Sequence, residues 1–115
     1  MRSGRNEWLH TIAAATVAAG LCGGLAYAAT TQPVSQQERS FHPGRPEVHV
    51  GDTVRILNDD GELIHHAYVA TDAFGFDSGE QDPGSLTDIR FTREGTFSVR
   101  CRIHPKMLLT VVVTK

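Results

Sequence analysis

Two cysteines in 115 residues are too few for a disulfide scaffold, and the two are not equivalent. Cys22 lies in an apolar N-terminal stretch, whereas Cys101 stands near the other end of the chain. Basic residues are not in excess either, with 11 Lys and Arg against 13 Asp and Glu. That balance excludes a nucleic-acid footprint and a polybasic membrane patch. Long apolar runs are missing apart from one, Thr11 to Ala29, which is weakly apolar, uncharged and rich in Ala and Gly. Past residue 40 no segment keeps a helical period, and there are neither repeats nor a second domain.

The apolar run follows Arg2 and Arg5 and closes on Ala26-Tyr27-Ala28, the small-x-small pattern that signal peptidase reads. Residues 1–28 are therefore expected to be a signal peptide cleaved after Ala28, delivering the chain to the periplasm. A retained anchor is the alternative, since the run is about long enough to span a bilayer, but Ala and Gly make it a poor one. Leu21 before Cys22 is too large for a lipoprotein signal, and no twin-arginine pair is present. Taking 28 residues from 115 leaves 87, a single small domain that needs tight packing, a metal or cross-links. Without Arg2, Arg5 and Glu7 it carries nine basic and twelve acidic side chains, an ordinary soluble balance. Cleavage also removes Cys22, so Cys101 has no partner and needs another task or a fully buried site.

Residues 29–40 are polar and read as a flexible lead-in to a domain over 41–115. From Phe41 onward short strands and turns alternate. Val48-x-Val50 precedes Gly51-Asp52, Val54, Ile56 and Asn58 alternate with Arg55 and Leu57, and Asn58-Asp59-Asp60-Gly61 is a strong turn signal. Ile64 to Ala70 is apolar and aromatic, interrupted by His65 and His66. Asp77-Ser78-Gly79 and Asp82-Pro83-Gly84 read as two further turns. Ile89-x-Phe91, Phe97-x-Val99-x-Cys101 and Leu108 to Val113 complete an all-β pattern, a β-sandwich or small barrel.

Chemistry concentrates in Cys101-Arg102-Ile103-His104-Pro105-Lys106-Met107. Cys101 ends one strand and Leu108 opens the next, so three potential ligands share one hairpin connection at i, i+3 and i+6. A second imidazole is offered by the pair His65-His66. Thiolate and thioether are soft donors and imidazole is borderline, a combination that suits the two-His-one-Cys plane with a weak Met of an electron-transfer copper site. Zinc prefers more thiolates or a carboxylate and has little use for Met. Backbone amides near Asn58 or in the loop are expected to donate to the sulfur and tune the potential.

These residues resemble the cupredoxins, and the short Cys-x-x-His-Pro-x-Met loop is most similar to the amicyanin branch. Phe41-x-Pro43, Val50-Gly51-Asp52-Thr53-Val54, Asn58, the His pair, Phe76-Asp77-Ser78-Gly79, Pro83-Gly84 and Gly95-Thr96-Phe97 carry the likeness further. It implies a Greek-key β-sandwich of seven to eight strands holding one copper ion that cycles between Cu(I) and Cu(II). Cys101, His104 and Met107 match the loop ligands. The upstream ligand then becomes His65, because the family places it just before a residue that is usually Asn. Here that next residue is His66, which leaves it as an alternative ligand and puts in question the tie that the family's Asn makes between the two ligand loops. The resemblance also implies that His104 exposes its ring edge through a small apolar patch including Pro105 and Leu63.

The expected role is a monomeric one-electron carrier between redox proteins of the cytochrome c, dehydrogenase or oxidase type, with no stable membrane association after cleavage. Nothing is turned over, so it is a carrier and not an enzyme. Arg100, Arg102 and Lys106 offer a docking patch for an acidic partner, or simply a solvated face. A copper-delivery protein without redox duty is one rival. A Cys-His hydrolase using Cys101 and His104 is another, weakened because the sequence shows no third group to orient the base. The chain is too short, and too poor in His clusters, for a multicopper oxidase. His42 and His49 read as surface histidines.

Overall fold

The computed structural model describes residues 27–115, so nearly all of the expected signal peptide, with His10 and Cys22, lies outside the described residues. Nine strands form two sheets among those residues. They are β1 (Thr31–Gln37), β2 (Ser40–His42), β3 (Glu47–His49), β4 (Thr53–Asn58), β5 (His65–Ala70), β6 (Gly75–Gln81), β7 (Leu86–Arg90), β8 (Gly95–Cys101) and β9 (Leu108–Thr114). One sheet runs β2-β1-β4-β7 and the other β3-β9-β8-β5-β6. The chain crosses between them repeatedly, which places β1 parallel to β4 and β3 parallel to β9 while the remaining pairs are antiparallel. This is the two-layer sandwich that alternating apolar strands must build to bury one face each.

Alternation decides which side chains meet between the layers. Val54, Ile56 and Asn58 of β4, Ile89 and Phe91 around β7, and Phe97, Val99 and Cys101 of β8 all point inward. Leu109, Val111 and Val113 of β9 close the core, whereas Leu108 stays exposed at the strand's start. Phe74, Phe91 and Phe97 form an aromatic cluster with ring centroids 5.2–5.7 Å apart. His42 and His49 are exposed, as expected of surface histidines.

Two strands occupy segments expected to be irregular, and they lift the number above seven or eight. The lead-in over 29–40 is instead β1 and its turn into β2. Val34 and Gln36 of β1 are buried, and six of its residues pair with β4, so its polar composition comes from the solvent face and from one buried position, Gln36. Asp77-Ser78-Gly79 is not a turn but the bulge of β6. Between the pairs His66–Glu80 and Tyr68–Asp77, β6 spends one residue more than β5, with Gly79 at φ 68°. The Ala67 amide then donates to Ser78 Oγ, at 2.9 Å, in place of a ladder carbonyl. Asp82-Pro83-Gly84 does turn: Ser85 N donates to Asp82 O at 3.0 Å, and Gly84 takes φ 80°.

Candidate metal centre

The turn joining β8 to β9 closes when Met107 N donates to His104 O at 3.0 Å, with Pro105 at the first corner. It folds His104 back over Cys101, the last residue of β8. β5 meets β8 with Ala67 opposite Cys101, so the residue two before Ala67 enters the same inner space. That residue is His65, fully buried, while Tyr68 and His66 face outward. The larger ring of Tyr68 had hidden this register in the sequence, because the inner face here carries only Ala67 and Val69.

His65, Cys101 and His104 therefore converge. The two Nδ1 atoms lie 3.1 Å apart, and Cys101 Sγ lies 3.8 Å from that of His65 and 3.9 Å from that of His104. A circle through three points at those separations has a radius of about 2.1 Å, the length of a metal–nitrogen bond. One ion at its centre meets all three donors at once.

His66 takes no part. Its Nε2 bonds Asp77, whose other oxygen is 3.7 Å from the Arg102 guanidinium, which in turn lies 4.0 Å over the Tyr68 ring. The chain His66–Asp77–Arg102 links the strand of one ligand to the loop of the others on the outer face of the sheet. A tie between the two is thus present by a route other than an Asn at position 66.

Met107 is buried beneath the loop at 2 % exposure. The Asn58 amide does not reach the sulfur: it donates to Ser85 O at 3.0 Å. The Asn58 side chain instead bonds Leu63 O at 2.8 Å, Gln81 O at 2.9 Å and the Asp60 amide at 3.1 Å, stitching the loop before β5 to the end of β6.

A residue the sequence concealed completes the site. Asp60 Oδ2 lies 2.8 Å from His65 Nε2, and its carboxylate also accepts the amides of Glu38 and Arg39. Burial works to raise the Asp60 carboxyl, but the Arg39 amide, His65 and the Glu38 amide outweigh it and hold it below its ordinary value. In the sequence Asp60 was indistinguishable from any other aspartate of a turn. Burial, reinforced by the neighbouring His65, pushes the His104 imidazole below its usual range.

Cys101, His65 and Asp60 form the line of a nucleophile, a base and an orienting acid, so the third group a hydrolase needs is present after all. A nucleophile must also meet its substrate. Cys101 is 2 % exposed and His65 0 %, which closes that route. His104 is the part of the cluster that reaches the surface, beside Ile103, Pro105, Arg39 and Lys106. Leu63, expected in that patch, does not line this depression.

No family model matches the sequence, and no curated protein sequence matches it. Solved structures do. A copper-containing nitrite reductase, NirK, from Thermus scotoductus SA-01 superposes with a TM-score of 0.69 at 28 % identity, over 81 % of this chain and 24 % of the reductase. The chain thus spans about a quarter of that enzyme's length. A purple cupredoxin from Nitrosopumilus maritimus gives 0.64 at 22 % identity, over 72 % of this chain and 99 % of the other. A reduced amicyanin carrying a Trp-to-Tyr substitution gives 0.66 at 24 % identity, over 78 % of this chain and 86 % of the amicyanin. The chain has the small cupredoxin fold, and His65, Cys101 and His104 fit a single copper ion.

Proposed function

We propose that the protein is a one-electron carrier working outside the cytoplasm, with copper held by His65, Cys101, His104 and Met107. The observation that carries this reading is the triangle of two Nδ1 atoms and one Sγ around a single point. Copper supplies the Cu(I)/Cu(II) couple there. The protein's part is to keep the donor set nearly fixed in both states, because rearrangement of ligands slows electron transfer. Cys101 pairs with Ala67 in the β8–β5 ladder and His65 with Gln81 in the β5–β6 ladder, and the 104–107 turn fixes His104 and Met107 against them. Cys101 binds as thiolate, so loading the site releases its proton. Met107, buried in the same loop, offers a soft, neutral thioether and serves as the weak fourth ligand.

Electrons pass through the half-buried ring edge of His104. Ile103 and Pro105 supply an apolar contact around it, and Arg39 and Lys106 flank it with positive charge. A redox protein with carboxylates around its own exposed cofactor edge suits that surface, in an encounter that is small and quick to part. Residues 1–28 act as the export signal, and the soluble remainder works in the periplasm as a monomer.

Visible and electron paramagnetic resonance spectroscopy of the copper-loaded protein tests the reading. An intense band in the visible with a narrow copper hyperfine splitting is expected, and it should vanish in Cys101→Ser. A colourless complex refutes a thiolate–copper bond. Slow electron self-exchange in a coloured protein would favour the copper-delivery role instead.

A further inference from the structure

We propose that Asp60 is the positioning residue of the metal centre: it sets the tautomer and tilt of His65 and locks that ring to the turn between β1 and β2. The inference rests on His65 being a copper ligand, as the proposed function has it.

The carboxylate is satisfied from three sides. Oδ1 accepts the Glu38 amide at 2.9 Å, and Oδ2 accepts the Arg39 amide at 2.8 Å together with His65 Nε2 at 2.8 Å. Its side chain is 10 % exposed and that of His65 is 0 % exposed, so water competes little. Glu38 and Arg39 both hold positive φ, 54° and 55°, the two-residue turn that asks for Gly or Asn. One carboxylate bonding both amides keeps two unsuited residues in that conformation. A carboxylate can only accept, so the neutral His65 ring must carry its proton on Nε2. Its Nδ1 is then a bare lone pair, aimed at the Nδ1 of His104 and the sulfur of Cys101.

His104 has no such partner; among the described residues its ring bonds only toward His65 and Cys101. The two imidazoles therefore differ, one clamped from behind and one free at the surface. Charge on the far nitrogen strengthens a ring as a donor and favours the more positive metal state. Removing it should raise the reduction potential and lower copper affinity about 10- to 100-fold.

The decisive experiment begins with the metal-free protein. Histidine 15N correlation spectra should show His65 wholly as the Nε2–H tautomer, and a mixture or the Nδ1–H form overturns the proposal. In Asp60→Asn a single oxygen cannot serve three donors, so the potential should rise and copper should leave faster. Asp59→Asn is the control, since it removes a neighbouring exposed carboxylate that bonds neither ligand imidazole. An unchanged potential and copper off-rate in Asp60→Asn, or an equal shift in Asp59→Asn, overturns the proposal. Should the wild type bind copper without colour, the carrier reading fails while the tautomer spectra still decide the role of Asp60.

Discussion

Ala67 of β5 and Cys101 of β8 are direct partners across the ladder, and both point into the core at 0 % and 2 % exposure. Opposed residues in an antiparallel pair hold their Cβ atoms about 5 Å apart, so the side chain at 67 decides how much room the sulfur has. Ala67→Leu should press directly on Cys101. The expected result is a loss of about 1–3 kcal/mol in urea unfolding, with a shift in the visible band of the copper form. An unchanged spectrum would mean that the sulfur's position does not depend on its cross-strand neighbour.

Copper should contribute to stability by mass action, because an unfolded chain does not gather the four donors. Loading at about a thousand times the dissociation constant adds about 4 kcal/mol, which for a domain this size raises Tm by about 20 °C. Differential scanning calorimetry of the loaded and metal-free forms measures it. Cys101→Ser should abolish the increment while leaving the metal-free Tm within a few degrees.

Asp52 predicts the acid limit of the fold. Its carboxylate is 2 % exposed and accepts the amides of Thr30 and His49, each at 2.8 Å. The Thr30 amide above all, with that of His49, holds the Asp52 carboxyl below its ordinary value, against the pull of burial. The folded state therefore binds fewer protons than the unfolded one at acid pH. Its contribution is complete above the unfolded value of about 3.9 and disappears as pH falls through the lower folded value. Urea midpoints from about pH 6 down to about pH 2 should fall steeply in the wild type and less steeply in Asp52→Asn.

In the proposed carrier role, charge around His104 should govern encounter with a partner. Arg102 is already engaged by Asp77 and Tyr68, whereas Arg39 and Lys106 flank the exposed imidazole. Stopped-flow reduction by an acidic redox protein at low salt should slow about tenfold in the double variant Arg39→Glu, Lys106→Glu, and its salt dependence should flatten. Arg102→Glu should have the smaller effect. Equal effects would return Arg102 to the docking surface.

Legibility differed from element to element for physical reasons. β4, β8 and β9 announced themselves because each buries one face, so apolar residues recur with period two. β1 stayed hidden because its inward residues include Gln36, buried through a bond to Gln81 at 2.8 Å, and five of its seven residues are polar. β6 read as a turn because a bulge needs the same Asp, Ser and Gly that a turn does. The 101–107 loop was legible because three ligands at fixed short spacing are a local property.

The sequence by itself supplied the candidate donors: a thiol, a histidine and a methionine on one hairpin, and a histidine pair upstream. Period-two alternation determined the all-β class as well. Choosing His65 over His66 on the residues themselves fell to the tertiary structure, since strand register shows which of two adjacent side chains faces inward only once β5 is paired with β8. The link from Asp60 to the turn at residues 38 and 39 was likewise a tertiary decision. Hydrogen bonds between segments more than twenty residues apart leave no periodic trace in the chain.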